Sequence, residues 1–323
     1  TGSSARSAVR SRARAARARI HANSIPPVAE FRPPRMDLSV IIVNYKTRDL
    51  LLECLAALAA GRSGLESEIV VVDNDSRDGT PEALAARFPE VRFIANRENV
   101  GYGRAPNQGI HATRGEFVLV MNPDCEPRPG AIRALADYLR AHPRAAIAGP
   151  RLVRADGVVE FSARAFPDHF TFLFNRYSLL TRLFPNNRYS RRYLMTDWDR
   201  RSVREVDWLS GAFLMVRRAA IDQVGGFDEA FFMFNEDVDW CRRMKQAGWA
   251  NVFVPEAEVV HHIGASRGRV APRVIVERHR GMIHYFHKHH PTNPVFAALA
   301  GAFILARAGV MLIGNAFKPA PRS

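Results

Sequence analysis

From residue 38 onward, short β-rich runs alternate with helical stretches, and this alternation limits the folds open to the chain. Parallel strands need crossover connections, usually helices, so this spacing indicates βαβ units that share one sheet. We therefore predict an α/β fold with a mostly parallel central sheet and helices on both faces. The predicted strands are 38–44, 68–72, 91–95, 117–121 and 145–149, and the predicted helices are 48–60, 81–88, 105–113 and 130–142.

The pattern is less regular after residue 151. A hairpin turn is predicted at 154–157, and residues 161–205, rich in Phe, Arg and Tyr, are predicted to be an insertion on the acceptor side of a site. Regular structure then returns in four predicted elements. These are a strand at 206–216, a helix at 218–224, a helix from the acidic cluster to about Ala247, and a strand at 251–254.

Several kinds of site are excluded by residue usage. The three cysteines are far apart and lack a CxxC spacing, so neither a disulfide framework nor a zinc site is predicted, and a reducing cytoplasm is the expected compartment. The chain also lacks the GxGxxG and P-loop spacings, which argues against a dinucleotide site or a P-loop.

Both ends of the chain have a biased composition. Half of the net charge of +14 lies in residues 1–35, which hold eight Arg and one Glu. We predict a disordered Arg-rich arm at 1–36, either solvated or attracted to anionic lipid or nucleic acid.

Residues 295–314 are apolar except for one charge, Arg307. A central Arg disfavours a membrane span, so we expect a helix that lies on a membrane face or packs on the domain.

Polar residues follow several predicted strands. Ligand sites in parallel sheets gather at the carboxyl ends of the strands, where Asn44 and Tyr45 follow the first strand and Asp73 follows the second. An acid in that position can accept hydrogen bonds from a base or a ribose. Asn122 and Asp124 flank a proline after the fourth strand, and Asp124 is the best candidate ligand for a hard cation, although a turn-capping role is also open.

Three carboxylates crowd together at Glu236, Asp237 and Asp239, directly after the apolar run 231–234 and before Trp240. An unpaired buried carboxylate costs free energy or shifts its pKa, so acids in such surroundings are often functional. The alternative is a helix N-terminus, where acidic side chains interact favourably with the helix dipole.

Small residues between Asn99 and Asn107, including Gly101, would let the backbone approach a ligand just before a helix.

Taken together in this order, the motifs resemble those of the inverting GT-A glycosyltransferases of family 2, and they are similar to those of bacterial rhamnosyltransferases of the mycobacterial type. The resemblance covers Leu38 to about Arg269. It rests on VNYKTRDLLLECL, VVVDNDSRDGT, NVGYGRAPNQGI, MNPDCEP, WLSGAFLMVRRAAIDQVGGFDEAFFMFNEDVDWCRRMKQAG and VVHHIGASRG.

The resemblance implies a role for each matched residue. Asp237 matches the catalytic base, with Glu236 as its supporting neighbour, while Asp124 matches the metal-binding DxD site and His261 a histidine that helps to hold metal or diphosphate. Asn122 replaces the first acid of that motif. The expected donor-binding residues are Asn44, Tyr45, Asp73, Asn99, Gly101, Asn107 and Asn122, and the expected acceptor-binding residues are Trp208, Ser210, Gly211 and Asp239.

The resemblance also implies an activity. We expect transfer of a sugar, L-rhamnose from dTDP-L-rhamnose, to a lipid-linked or polysaccharide acceptor in cell-wall glycan synthesis, with Mg²⁺ or Mn²⁺ as cofactor. A UDP-hexose or galactofuranose donor is the alternative within this fold, and a noncatalytic basic protein that binds nucleic acid or membrane is the alternative outside it. For the enzyme we expect no nucleic-acid partner, peripheral membrane contact and a place at the inner face of the cell membrane.

We expect the chain to consist of four parts. The Arg-rich arm at 1–36 precedes a nucleotide-sugar-binding half at 37–150. An acceptor-binding and catalytic half at 151–270 follows, and a C-terminal helical segment that contacts the membrane is expected at 271–323.

Overall fold

Every residue of the first strand, LSVIIVN, is buried, as expected for a strand covered by structure on both faces. The computed structural model describes residues 36–61, 64–168, 171, 183–184, 187–262 and 271–318. Apart from Met36, the predicted arm lies outside these residues, and so does much of the predicted insertion.

The elements follow one another in an order that alternates strands and helices through the first half of the chain. They are β1 Leu38–Asn44, α1 Arg48–Gly61, β2 Ser67–Asp73, α2 Thr80–Arg87, β3 Arg92–Ala95, α3 Ala105–His111, β4 Phe117–Met121, β5 Cys125–Pro127, α4 Ala131–Ala141, β6 Ala145–Val153, β7 Ala163–Arg164, α5 Arg188–Leu194, β8 Arg204–Val206, β9 Trp208–Leu209, β10 Phe213–Arg217, α6 Arg218–Val224, α7 Glu236–Gln246, β11 Ala250–His261, α8 Pro272–His289 and α9 Pro294–Ala316.

The described residues form a central sheet with strand order β3-β2-β1-β4-β10-β6-β11-β5, and β8 pairs with β11 at its side. Strands β1 to β4 pair in parallel, as do β6 and β11, whereas β10 runs antiparallel between β4 and β6. The predicted mostly parallel α/β sheet is therefore confirmed. The two predicted halves share this sheet, because β10 from the second half lies between strands of the first.

Alternate residues of β1 enter two separate hydrophobic cores, one on each face of the sheet. Val40 and Ile42 pack on one face with residues of α1 and α4. Ile41 and Val43 pack on the other face with α7 and with Tyr285 of α8. Both faces of the sheet are thus covered by helices, as the near-continuous apolar strands require.

Three predicted strands differ from the structure. The predicted strand at 145–149 extends to Val153 in β6. The predicted strand at 206–216 is broken into β8, β9 and β10, because β9 pairs with β7 in a separate two-stranded sheet and the chain turns at Gly211. The predicted strand at 251–254 is part of the longer β11, whose pairing with β6 shifts register between Val254 and Glu258. The predicted turn at 154–157 is present, with the Gly157 N–H donating to the Arg154 carbonyl at 2.8 Å.

Candidate active site

Asn44 and Asp73 lie side by side at the carboxyl ends of β1 and β2. The Asn44 amide donates to Oδ1 of Asp73 at 2.8 Å and to Oγ of Ser76 at 3.0 Å. Asn44 has no exposed surface, so the structure gives it an internal role, holding Asp73, in place of the predicted donor contact. Tyr45, the next residue, is 43% exposed at the same edge of the sheet.

The segment from Asn99 to Asn107 packs against the residues that precede the acidic helix. Gly101 has φ +85°, and a Cβ atom there would lie 2.4 Å from the carbonyl oxygen of Phe232, so glycine is needed for this close approach. Asn99 Oδ1 accepts a hydrogen bond from the Gly101 N–H at 3.0 Å. Buried Asn107 exchanges hydrogen bonds with the backbone of Phe227 at 2.9 Å. Gly101 and Asn107 therefore both make contacts within the protein, and their donor contacts stay predictions.

Asp124 and His261 meet at the edge formed by β5 and the end of β11. Oδ1 of Asp124 lies 3.4 Å from Nε2 of His261, while the other ring nitrogen, Nδ1, lies 3.0 Å from a carboxylate oxygen of Glu160. Burial lowers the pKa of His261, but Asp124 and Glu160 outweigh this effect and raise it to about 9. In the absence of a cation, the imidazolium therefore supplies the positive charge between the two carboxylates.

The chemistry of this corner fits a divalent cation. Oδ1 of Asp124 is buried and has no well-aligned hydrogen bond within the described residues, although buried oxygens normally have one. A carboxylate that holds Nδ1 of a histidine orients its Nε2 as a ligand, and Glu160 is placed to do so for His261. Cys125 completes a cluster of potential ligands, but burial, and then Asp124, raise the pKa of its thiol. A protonated thiol is a poor partner for a hard cation, so Asp124 and His261 are the fitting ligands.

Asp237 is held by two backbone N–H groups at the start of α7. Gly211 donates to its Oδ2 at 2.8 Å, and Val238 donates to its Oδ1 at 2.8 Å. Burial raises the pKa of Asp237, although these two N–H groups and the charge of Arg164 oppose the rise. Glu236 is more deeply buried, and its Oε2 has no hydrogen bond within the described residues. Burial, and then the charge of Asp237, hold the pKa of Glu236 well above its usual range, so Asp237 is the acid better able to be ionised.

The turn from Ser210 to Ala212 contacts both the segment around Asp124 and Asp237 itself. The Ala212 carbonyl accepts the Asn122 N–H at 2.9 Å and the Cys125 thiol at 3.3 Å, which ties the turn to the Asp124 side. The Gly211 N–H binds Asp237, and the Gly211 carbonyl accepts the Tyr102 hydroxyl at 3.2 Å. These contacts explain why the predicted strand at 206–216 is interrupted here.

A cavity of ≈ 310 Å³ adjoins Asp237 on the side of the predicted acceptor residues. Trp208 and Ser210 line it, although Trp208 is only 6% exposed and its Nε1 donates to the Ala165 carbonyl at 2.9 Å. The cavity is large enough for a small ligand group. Trp208 therefore packs as a core residue and also forms part of the cavity wall.

Asp239 points away from this cavity and has no exposed surface. It pairs with Arg243 at 2.7 Å, Lys288 at 2.8 Å and His289 at 2.6 Å. The predicted acceptor contact of Asp239 is corrected accordingly, because a fully enclosed side chain with three partners inside the protein cannot reach an acceptor. Its role is to attach α8 to α7.

Other site residues had little or no signal in the sequence. Glu160 behind His261 and Arg164 in the cavity wall belong to the segment in which no regular pattern was found. Arg278 and Arg307, from α8 and α9, also line the cavity. Arg307 alone stood out, as the one charge in an apolar stretch, but its direction depends on how α9 packs.

The chain is similar to several known glycosyltransferases. The N-acetylglucosaminyl-diphospho-decaprenol L-rhamnosyltransferase of Mycobacterium tuberculosis (strain ATCC 25618 / H37Rv) is 39% identical over 255 residues, which cover 75% of this chain and 81% of that protein. Among solved structures, the mannosyltransferase PcManGT from Pyrobaculum calidifontis, in complex with GDP-Man and Mn²⁺, has a TM-score of 0.54 at 18% identity, covering 87% of this chain and 80% of that one. GalNAc-T7 with UDP, GalNAc and Mn²⁺ has a TM-score of 0.56 at 17% identity, covering 73% of this chain and 45% of that one.

The sheet has the GT-A fold of the glycosyltransferases in these solved structures. Residues 33–282 match the family model described as Glycosyltransferase like family 2, and the chain belongs to that family. The predictions of the fold and of an enzyme that transfers a sugar are confirmed. The similar structures were solved with Mn²⁺, and this chain has a possible metal-binding cluster at Asp124 and His261.

Proposed function

We propose that this glycosyltransferase moves L-rhamnose from dTDP-L-rhamnose to an acceptor sugar carried on a polyprenol diphosphate, in cell-envelope glycan synthesis. One observation carries the proposal: the turn Ser210–Ala212 contacts both Asp237, a candidate base, and the backbone around Asp124, a candidate metal ligand. The donor and acceptor are supported by the name of the similar mycobacterial protein, which describes L-rhamnosyl transfer to N-acetylglucosaminyl-diphospho-decaprenol.

Asp237 acts as the base in the proposed reaction. An acceptor hydroxyl in the adjoining cavity attacks the anomeric carbon, and its proton passes to the Asp237 carboxylate. The bond from the anomeric carbon to the diphosphate oxygen breaks at the same time, and its electron pair leaves with the nucleoside diphosphate. Attack from the face opposite the leaving group inverts the anomeric centre. The Gly211 and Val238 N–H groups favour the ionised form of Asp237 and orient it for this step.

Asp124 and His261 would hold a Mg²⁺ or Mn²⁺ ion, which neutralises negative charge on the departing diphosphate. Glu160 fixes the ring of His261 so that Nε2 faces Asp124. Asp73, held by Asn44, is proposed to contact the nucleotide base or ribose. A UDP-hexose or galactofuranose donor would use the same residues, so a panel of donors is needed to distinguish these sugars.

The enzyme is proposed to work at the inner face of the cell membrane, where a polyprenol-linked acceptor would be found. In the described part of the chain, one helix, α9, is long and apolar enough to cross a membrane by length and composition, with mean hydropathy 2.1 over its most apolar window. Only 11% of that window is buried, and Arg307 faces the cavity beside α8. A peripheral helix that lies along the membrane surface accommodates both features.

The activity test compares the wild type with Asp237→Asn and Glu236→Gln, using a panel of dTDP- and UDP-sugars and a synthetic N-acetylglucosaminyl diphosphate prenol. We expect transfer from dTDP-L-rhamnose, a loss of about 10²-fold or more in kcat for Asp237→Asn, and a much smaller loss for Glu236→Gln. The two substitutions are isosteric and adjacent, so they form a matched pair.

A wild-type rate from Asp237→Asn would exclude Asp237 as the base. EDTA is expected to abolish transfer, and Mn²⁺ or Mg²⁺ to restore it. Transfer from a UDP-sugar in preference to dTDP-L-rhamnose would replace the donor while leaving the mechanism in place.

A further inference from the structure

The cavity beside Asp237 is lined by three arginines that come from distant parts of the chain. Arg164 lies on β7, Arg278 on α8 and Arg307 on α9. Aspartate 237 is the one acidic residue of the described lining. Three positive charges around one carboxylate give the cavity a net positive charge, which attracts an anionic group.

Arg307 has a position that hydrophobic packing alone does not explain. It is the one charge of α9, and it is turned toward α8, where its Nη1 lies 3.9 Å from Sδ of Met282. No carboxylate of the described residues forms an ion pair with it. Burial, and then the charge of Arg278, lower the pKa of Arg307, which reflects a partly buried cation next to another cation. Such an arrangement is unfavourable unless an anion binds.

The other two arginines are held by aromatic rings that also line the cavity. The guanidinium of Arg278 lies 4.3 Å from the centroid of Phe234, and that of Arg164 lies 4.9 Å from the centroid of Trp208. Stacking fixes the plane of a guanidinium, and Arg164 is held further because its Nε donates to the Phe161 carbonyl at 2.5 Å. The rings thus position the two guanidinium groups at the cavity.

We propose that Arg164, Arg278 and Arg307 bind the diphosphate of the lipid-linked acceptor, so that the acceptor sugar lies against Asp237 and the prenyl chain leaves along α9. This inference rests on the proposed function, because it names the part of that acceptor which the cavity recognises. The exposed apolar residues of α9, among them Leu299 and Phe303, give the prenyl chain an apolar path from the cavity.

A diphosphate also occurs in the nucleotide donor, so the test must separate the two sources. Binding of geranylgeranyl diphosphate in EDTA reports on the arginine cavity, and binding of dTDP with Mg²⁺ reports on the Asp124 corner. Both are measured by calorimetry on the full chain, with geranylgeraniol as the uncharged probe.

We expect Arg278→Met and Arg307→Met each to weaken geranylgeranyl diphosphate binding about 10-fold, because each removes a charge-assisted hydrogen bond, and to leave dTDP binding unchanged. Arg307→Lys keeps the charge and is expected to lose less. Arg280→Met is the matched control: Arg280 lies on the same helix as Arg278, its side chain is 70% exposed, and it pairs with Glu277.

Three results would overturn the inference. The Met variants would bind the prenyl diphosphate like the wild type, or geranylgeraniol would bind as tightly as its diphosphate, or the variants would lose dTDP binding to the same extent. Thermal midpoints identify any variant that fails to fold, and Arg307→Lys then supplies the comparison.

Transfer assays separate this inference from the proposed function. With the diphosphate acceptor, Arg278→Met and Arg307→Met are expected to raise the acceptor KM, whereas the control Arg280→Met should leave it at the wild-type value. Normal acceptor KM values in active variants would refute the arginine site and leave the transferase in place. Loss of prenyl diphosphate binding in the variants, without transfer by the wild type to any acceptor, would refute the proposed reaction and leave the diphosphate site.

Discussion

At the scale of single residues, the protonation of Asp237 is set by opposing influences. Burial raises its pKa, whereas the N–H groups of Gly211 and Val238 and the charge of Arg164 lower it. Asp237 must be deprotonated to accept a proton, so activity is expected to rise as the pH passes upward through this raised pKa. Arg164 therefore extends activity toward lower pH.

We predict that Arg164→Met moves the acid limb of the pH profile of kcat/KM to higher pH, because the pKa of Asp237 rises when the positive charge is removed. The measurement is kcat/KM against pH at a fixed Mn²⁺ concentration. Arg204→Met is the control, since Arg204 also stacks on a tryptophan, Trp198, at 5.3 Å but does not line the cavity. An acid limb that stays in place in Arg164→Met would contradict the electrostatic role.

At the scale of elements, α7 and α8 are joined through Asp239. Burial alone would raise the pKa of Asp239, but His289, Lys288 and Arg243 outweigh it and hold the pKa well below its usual range. The pairs keep α8 against α7, and α8 carries Arg278 to the cavity. The position of one cavity wall therefore depends on a buried ion cluster outside the cavity.

We predict that Asp239→Asn lowers the free energy of unfolding by about 3–5 kcal/mol at pH 7, because it leaves Arg243 and Lys288 without their buried carboxylate partner. Urea denaturation measures the loss. The matched control is Asp137→Asn, which breaks an exposed i,i+4 pair with Arg133, and it should cost at most about 0.5 kcal/mol.

The pH dependence of this difference has a defined sign. A carboxyl whose folded pKa is depressed stabilises the protein above its unfolded pKa, about 3.9, and the contribution is lost as the pH falls through the folded value. The gap between wild type and Asp239→Asn should therefore be full at neutral pH and narrow below about pH 4. A gap that is constant from pH 7 to pH 3 would contradict an ionised Asp239.

At the scale of the whole molecule, α9 combines one charged side chain with several exposed apolar ones. Arg307 faces the cavity, while Leu299, Val310 and Ile313 are each more than half exposed. We predict that Leu299→Glu with Val310→Glu reduces binding to phospholipid vesicles about 10-fold or more, because each change removes a side chain that would be buried in lipid. Co-sedimentation with vesicles measures this.

A control for vesicle binding comes from another part of the surface. Val158, in the hairpin after β6, is 49% exposed, and Val158→Glu adds one negative charge without touching α9. It should leave vesicle binding close to that of the wild type. Equal retention of the double variant and the wild type on vesicles would show that α9 does not contact the membrane.

Local sequence patterns were sufficient for much of the fold but not for the site's surroundings. β1 and β4 have the predicted bounds, because their buried apolar runs are a local signal. The break at Gly211 was not predicted, since it depends on a contact with Asp237 later in the chain. Likewise, the resemblance implies an acceptor role for Asp239, and nothing near it in sequence indicates its partners on α8. The motifs indicated which residues are candidates for function, whereas the burial of each of these side chains depends on tertiary contacts.

The central place of β10 has a consequence for synthesis of the protein. During synthesis, β4 and β6 leave the ribosome before β10, which pairs with both of them. The facing edges of β4 and β6 therefore stay unpaired until β10 has been made. Pairing across such a sequence separation slows folding. Because Ser210–Ala212 immediately precedes β10, its insertion also brings the Asp124 and Asp237 corners together. Insertion of β10 is therefore expected both to cover the two exposed sheet edges and to assemble the candidate active site.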